Sequence, residues 1–214
     1  MHTRSLLCAG GKGVVFRVLK YQSDLSAGSL LVCESRAIAR LLQQGLDHDQ
    51  ILERVVAGNL LQKRSLQYTK KLCGAILDRL EYGDEAMLNR IAGERQSAVQ
   101  SLLALNLIRS RLLLDFFVLA LADEYRLGHK KLENTVWNRF VEGCISRDPA
   151  VQDWSDATLE TMRKVVFRML DEAGYMESTR SRKLQKVFIH PEVTDYLKSK
   201  RLESILQAMQ VSYV

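Results

Sequence analysis

From Ser101 to Ala122 the chain reads SLLALNLIRSRLLLDFFVLALA, apolar on nearly every side of every helical turn. A helix that is apolar all round is one buried on all sides. Asn106, Arg109, Ser110, Arg111 and Asp115 interrupt the run. Charges at that spacing are costly near a bilayer centre, so the stretch reads as core and not as a membrane span. Ser110 is placed to end one helix and cap the next. The pattern therefore predicts two central helices in tandem, Glu94–Ile108 and Arg111–Leu127, with Arg111 and Asp115 paired at i,i+4.

Amphipathic spacing predicts the surrounding helices. One covers Glu34–Gln44, with Ile38, Leu41 and Leu42 inward and Gly45 just past its end. Asp47 caps a second, Asp49–Ala57, and a third runs from Ser65 to Glu81 with Leu66, Leu72, Cys73, Ile76, Leu77 and Leu80 on its apolar face. A short Asp84–Ala92 helix leads into the central pair, and Lys130–Ile145 follows it. Ser155 or Asp156 starts a helix that ends at Ala173, with Gly174 as its left-handed stop. The next segment, YMESTRSRKLQKVFIHP, alternates apolar and polar positions around a polar centre. It predicts strand, turn and strand, with strands Tyr175–Glu177 and Leu184–His190. Pro191 then opens two closing helices, Glu192–Lys200 and Leu202–Met209. The expected fold is all-α: a compact multi-helix domain around a buried central helix pair, with one small β-hairpin, winged-helix-like, near the C-terminus. The expected organisation is a flexible leader over 1–20, an N-terminal helical bundle over 21–128 and a winged-helix-like subdomain over 129–214.

Composition adds a bias, not an identity. Apolar and charged residues, 47% and 26%, are ordinary for a soluble globular chain of 214 residues. A net charge of +6 favours polyanionic partners. Cys8, Cys33, Cys73 and Cys144 are widely spaced, with no C-x-x-C, and His2, His48, His129 and His190 have no ligand partner at helical spacing. No zinc site or disulfide framework follows. The glycine cluster AGGKGVV (9–15) lacks the spacing and the Lys-Ser/Thr ending of a phosphate-cradling loop. Asp84-Glu85 and Asp171-Glu172 stand at helix ends and read as solvated surface. The expectation is a cytoplasmic, non-catalytic protein with no cofactor, no metal and no membrane segment.

Two basic clusters suit a polyanion. Arg180, Arg182, Lys183 and Lys186 crowd the predicted hairpin tip with no acid among them, and Lys/Arg there would supply sequence-independent affinity for phosphates. Lys63, Arg64, Gln67, Lys70 and Lys71 open the third helix, where Arg and Gln at i,i+3 suit base edges. Lys164 and Arg168 form a weaker candidate, since Glu160 and Glu172 stand at i−4 and i+4 to neutralise them. Each cluster equally suits an ordinary solvated loop or helix face.

Several stretches together resemble one family: AGSLLVCESRAIARLL (27–42), NLLQKRSLQYTKKL with ILDRL (59–80), RSRLLLDFFVLALADEY (109–125), Trp137-Asn-Arg-Phe140 and WSDATLETMRKVVFRMLDEAGYM (154–176). They are similar to the BrxA family of bacteriophage-exclusion (BREX) defence systems, over about Tyr21 to Lys198. The resemblance implies an all-helical protein, partly like the NusB antitermination fold, that binds double-stranded DNA and has no enzymatic activity. It also implies work beside a methyltransferase, an AAA+ ATPase and a phosphatase-like protein. It carries over no functional residue. A NusB-like RNA binder, a helical adaptor without nucleic-acid affinity and an unrecognised nuclease are the rival expectations.

The cysteine spacing yields the first testable outcome. Thiol titration of freshly purified, unfolded protein should count four free thiols; a reproducible count of two or fewer would reveal a disulfide.

Overall fold

The computed structural model describes residues 20–213. The expected leader (apart from Lys20), its glycine cluster, His2 and Cys8 lie outside the described residues. Helix accounts for 69% of the described residues. The sequence order is α1 (Val32–Gln43), α2 (His48–Ala57), α3 (Leu66–Leu80), α4 (Glu85–Ala92) and α5 (Arg95–Arg109), followed by α6 (Arg111–Asp115), α7 (Ala122–Arg126), α8 (Asn134–Arg147), α9 (Asp156–Glu172), α10 (Pro191–Ser199) and α11 (Glu203–Met209).

Local capping chemistry sets most of these starts. Asp47 and Gln50 form a reciprocal capping box on α2. Ser65, Asp84, Glu94 and Ser155 each accept a backbone N–H from the first turn of α3, α4, α5 and α9. Such caps satisfy amides that have no partner inside the helix. Ser110 is extended, and its hydroxyl accepts from Leu113 N, so it ends α5 and begins α6 as the pattern predicts. The Arg111–Asp115 ion pair forms at 2.8 Å. Gly174, with φ +85, stops α9 where a side chain would be strained.

The second central helix departs from the expected regular rod. Between α6 and α7, Phe116–Leu121 takes one π-helical turn. Phe116 and Phe117 are both fully buried but face different aromatic groups. Phe116 meets Phe140 edge-on at 5.2 Å and Trp137 at 5.6 Å, whereas Phe117 meets Tyr175 edge-on at 5.3 Å. A π-turn inserts an extra residue into the helix, and this one accommodates two adjacent buried phenyls. It leaves Val118 and Leu119 on the outside, contrary to an all-buried reading of the run.

α5 and α6–α7 form the centre. α4 lies on α5 and α1 on α4, α2 and α1 cover α3, and α10 and α11 close against α5. Buried apolar side chains from Tyr21 to Val211 form one contiguous cluster. The segment before α1 is gripped from both sides. Arg79 of α3, 2% exposed, donates to the carbonyls of Ser29 and Leu30 at 2.9 and 3.0 Å and reaches Gly28 O at 3.5 Å. Glu172 at the end of α9 accepts from Ser29 Oγ and Leu30 N at 2.7 and 2.8 Å. Between these grips Leu31 holds a left-handed conformation, φ 53, and starts α1. Upstream, Tyr21 OH donates to Asp115 at 2.6 Å and accepts from Arg147 Nε at 2.8 Å.

The expected β-hairpin is absent, and with it the winged-helix reading. Among the described residues there is no sheet, only two isolated antiparallel bridges, Met176 with Leu184 and Lys131 with Lys183. The alternation that signalled a strand is real, since Val187 and Ile189 are 6% and 5% exposed and Phe188 is 65% exposed. What is missing is a partner strand, because side chains satisfy the backbone instead. Tyr125 OH donates to Gln185 O, Ser212 Oγ accepts from Val187 N, and Gln100 binds both Phe188 O and His190 N. α8 also begins later than the expected Lys130, at Asn134. The preceding backbone is drawn off to the basic segment, with Leu184 N donating to Lys130 O and Leu132 N to Arg182 O.

Two predictions follow from these ties. Replacing Arg79 with Ala strands the carbonyls of residues 28–30 in the interior and should cost about 3–5 kcal/mol, lowering the melting temperature by roughly 10 °C. A variant that melts within about 2 °C of the parent would show that water replaces the guanidinium.

The second concerns Asp84, which receives Tyr196 OH at 2.9 Å and Lys200 Nζ at 2.6 Å, docking α10 on α4. Burial raises its carboxyl, but Lys200, the Met87 amide and Tyr196 together hold it below the ordinary 3.8. A depressed folded-state value means the stabilisation is present above 3.8 and is lost as pH falls through the folded value. Asp84→Asn keeps the cap and removes the charge. Its cost, under about 1 kcal/mol for so exposed a pair, should appear in denaturant titrations at pH 7 and shrink towards zero near pH 3. An equal cost at both pH values would show that the charge is irrelevant.

Candidate polyanion-binding surface

The basic segment is a tight, braced turn. Glu177 N donates to Lys183 O, Gln185 N to Tyr175 O and Arg182 N to Ser178 O. Thr179 N reaches the Asp171 carboxylate at the end of α9. On the other side stands the 130–132 segment, whose bonds to Arg182 and Leu184 delay α8. The backbone of the turn is therefore fixed on two flanks while its cationic ends point out.

Arg180, Lys183 and Lys186 are exposed and Arg182 is half-buried. Arg182 donates to Asn134 Oδ1 at 2.6 Å and lies over the Phe167 ring at 5.8 Å. Arg163 of α9 shares both partners, bonding Asn134 and lying 5.6 Å from the same ring. Arg is suited to stacking on an aromatic face while keeping its charge available. Lys183 has a loose pair with exposed Glu177 at 3.7 Å. Lys186 lies over the Tyr213 ring at 6.0 Å. Among the described residues Arg180 has no ion-pair partner.

Lys164 and Arg168 are exposed on α9, the helix whose Phe167 and Asp171 touch the basic turn. Lys164 is partly neutralised by Glu160 at 3.4 Å, as its spacing predicts. Arg163 bonds Glu160 as well, and these contacts hold its carboxyl down to about 2. Arg168 is exposed, and the expected pair with Glu172 does not form, because Glu172 is turned to Ser29 and Leu30.

The α3 residues stand on another element, packed on α1, α2 and α5. Arg64, Gln67, Lys70 and Lys71 are exposed. Lys63 is bonded to Glu34 of α1 at 2.9 Å, a contact that raises its ammonium above the ordinary value and neutralises it locally. Reasoning from the sequence missed three cations beside the turn: Lys130, Lys131 and Arg163. The adjacent lysines after Gly128 were a usable signal, but they read as the start of a helix.

Cys33, Cys73 and Cys144 carry free thiols. Among the described residues no group of three or more His, Cys, Asp or Glu side chains is placed to hold a metal ion, and no helix is long and apolar enough to cross a membrane.

Comparison with known proteins adds what the geometry alone lacks. The BrxA family pattern matches residues 19–201. The chain is 34% identical over 194 residues to the protein named BREX protein BrxA of Paramagnetospirillum magneticum, covering 90% of this chain and 98% of that one. It is 30% identical over 188 residues to the protein of the same name from Escherichia coli O9:H4, covering 87% of this chain and 88% of the relative. A protein of that name from Bacillus cereus is 23% identical over 181 residues. A crystal structure described as an uncharacterized protein from Magnetospirillum magneticum has a TM-score of 0.80 and 32% identity, covering 90% of this chain and all of that one. The match runs through the α1 start, the α3 face, the central helices and α9 alike, over nearly the whole length of its relatives, and on that ground the chain belongs to the BrxA family.

Proposed function

We propose that this protein is a non-catalytic component of a BREX phage-defence system, acting in the cytoplasm as a double-stranded-DNA-binding accessory to the other BREX proteins. Its family membership and the printed names of its relatives support the defence role. The observation that carries the DNA reading is the braced turn: Arg180, Arg182, Lys183 and Lys186 stand on a backbone fixed by α9 and by the 130–132 segment. A duplex presents a dense row of phosphates, and cations on a rigid support meet it with little ordering cost. Lys130, Lys131, Lys164 and Arg168 widen the same surface, while Glu133, Glu160 and Glu177 limit its charge. The contact needs no wing, only the turn.

Salt dependence tests this reading. Each phosphate neutralised contributes about 0.9 to the slope of log affinity against log salt. Replacing Arg180, Arg182, Lys183 and Lys186 together with Ala should flatten the slope by about 3 to 4 and weaken binding at low salt by orders of magnitude. The fold should hold: exposed substitutions usually stay within about 0.5 kcal/mol, and half-buried Arg182 adds the loss of its Asn134 bond, about 1 kcal/mol. Exchanging Arg64, Lys70 and Lys71 should leave the slope nearly unchanged. If only that exchange flattens it, the interface lies on α3. Matched RNA duplexes as competitors separate B-form from A-form recognition, and equal competition would move the reading to RNA.

A further inference from the structure

Immediately beyond the basic turn the chain exposes aromatic surface. Phe188 and Tyr213 are 65% and 55% exposed and line one open groove of about 440 Å³, within the size range of small-ligand sites. Scattered exposed apolar side chains are ordinary; two rings on one groove, next to a row of cations, are not scattered. The rings are presented by a fixed backbone. Gln100, 3% exposed, bonds Phe188 O at 2.8 Å and His190 N at 2.7 Å. Ser212, beside Tyr213, accepts from Val187 N at 3.0 Å. Lys186 joins the two features, belonging to the basic turn by sequence and lying 6.0 Å from the Tyr213 ring.

We propose that this groove stacks an unpaired nucleobase of a DNA strand whose adjoining phosphates lie on the basic turn. The chemistry matches on three counts. Every base offers a π-face to an aromatic ring, and stacking of this kind tolerates any sequence. Ile189 and Pro191 give the groove an apolar lining, while Asp195 and Gln210 line it with polar groups that suit a base edge. Ionised Asp195 only accepts hydrogen bonds, so it suits a base's amino or imino group and repels a phosphate. Phosphates are thereby directed to Lys186 and the turn, and the base to the groove. The inference rests on the polyanion reading of the turn and adds that the favoured ligand is a duplex with a single-stranded end or an extruded base.

The test compares, on the full-length protein, a blunt DNA duplex with the same duplex carrying a four-nucleotide single-stranded tail. The tail should tighten binding about ten-fold for each base that stacks. In the Phe188→Ala, Tyr213→Ala double variant that gain should vanish while blunt-duplex affinity stays unchanged, and melting should confirm that the protein is folded. In the four-cation variant both ligands should weaken together. A tail bearing 5-iodouracil should cross-link, on irradiation, to peptides containing Phe188 or Tyr213. Blunt duplex binding with no gain from the tail overturns the nucleobase site alone, as would happen if these rings seat a protein partner. A gain that survives in the double variant also overturns it. Tailed DNA binding where blunt duplex does not bind supports the groove and overturns the duplex reading; no binding of either overturns both.

Discussion

The guanidinium of Arg79 anchors the irregular segment from which the first helix starts. It sits in the interior, facing the carbonyls of residues 28–30, with Glu172 bonding the same segment from the opposite side. Burial pushes the group down to about 10, the Arg109 charge adds to that effect and Glu172 opposes it. It remains cationic at neutral pH, because the carbonyls and the nearby carboxylate replace the water it gave up. A short stretch without regular structure is thereby clamped between α3 and α9, and Leu31 is held in a left-handed conformation that leucine would otherwise avoid. α9, which ends at Glu172, also carries Phe167, Lys164 and Arg168, so the clamp on residues 28–30 includes the helix that borders the basic turn.

The same economy of partners shapes the segment after α9. An edge of backbone N–H and C=O groups must find hydrogen bonds somewhere. Here they find Tyr125, Gln100 and Ser212. An extended chain results, with alternating burial but no exposed strand edge to pair with another molecule. Its buried positions, Val187 and Ile189, join the core, and the exposed ones carry Lys186 and Phe188 to the surface. The basic turn and the aromatic groove are consecutive consequences of one anchored strip of backbone.

Charge is distributed unevenly over the molecule. On α1 and α3, Glu34 cancels Lys63, and on α9 Glu160 is shared by Arg163 and Lys164. At the turn Glu177 lies 3.7 Å from Lys183, and beside it Glu133 pairs with Lys131 at 3.2 Å. Arg180, Arg182, Lys183 and Lys186 thus stand on backbone braced from two flanks, an arrangement that lowers the ordering cost of binding a polyanion.

Residue spacing and local capping account for where most helices lie and where most of them end. Asp47, Ser65, Asp84, Ser155 and Gly174 act within one turn of their own positions. Ser110 and the Arg111–Asp115 pair are equally local, and such short-range energies are visible in residue spacing. The resemblance to the BrxA family was legible too, from scattered helix positions. Tertiary structure alone decided the rest. Whether Leu184–His190 became a strand depended on Tyr125, Gln100 and Ser212, which are far away in sequence and compete with any partner strand for its amides and carbonyls. The π-turn depended on where Phe140, Trp137 and Tyr175 stand around two adjacent phenylalanines. Lys63 kept its place on the predicted face but met Glu34, and Lys130 and Lys131 left their predicted helix to brace the turn. Each of these outcomes is a contest among groups distant along the chain, and residue spacing carries no record of which of them meet.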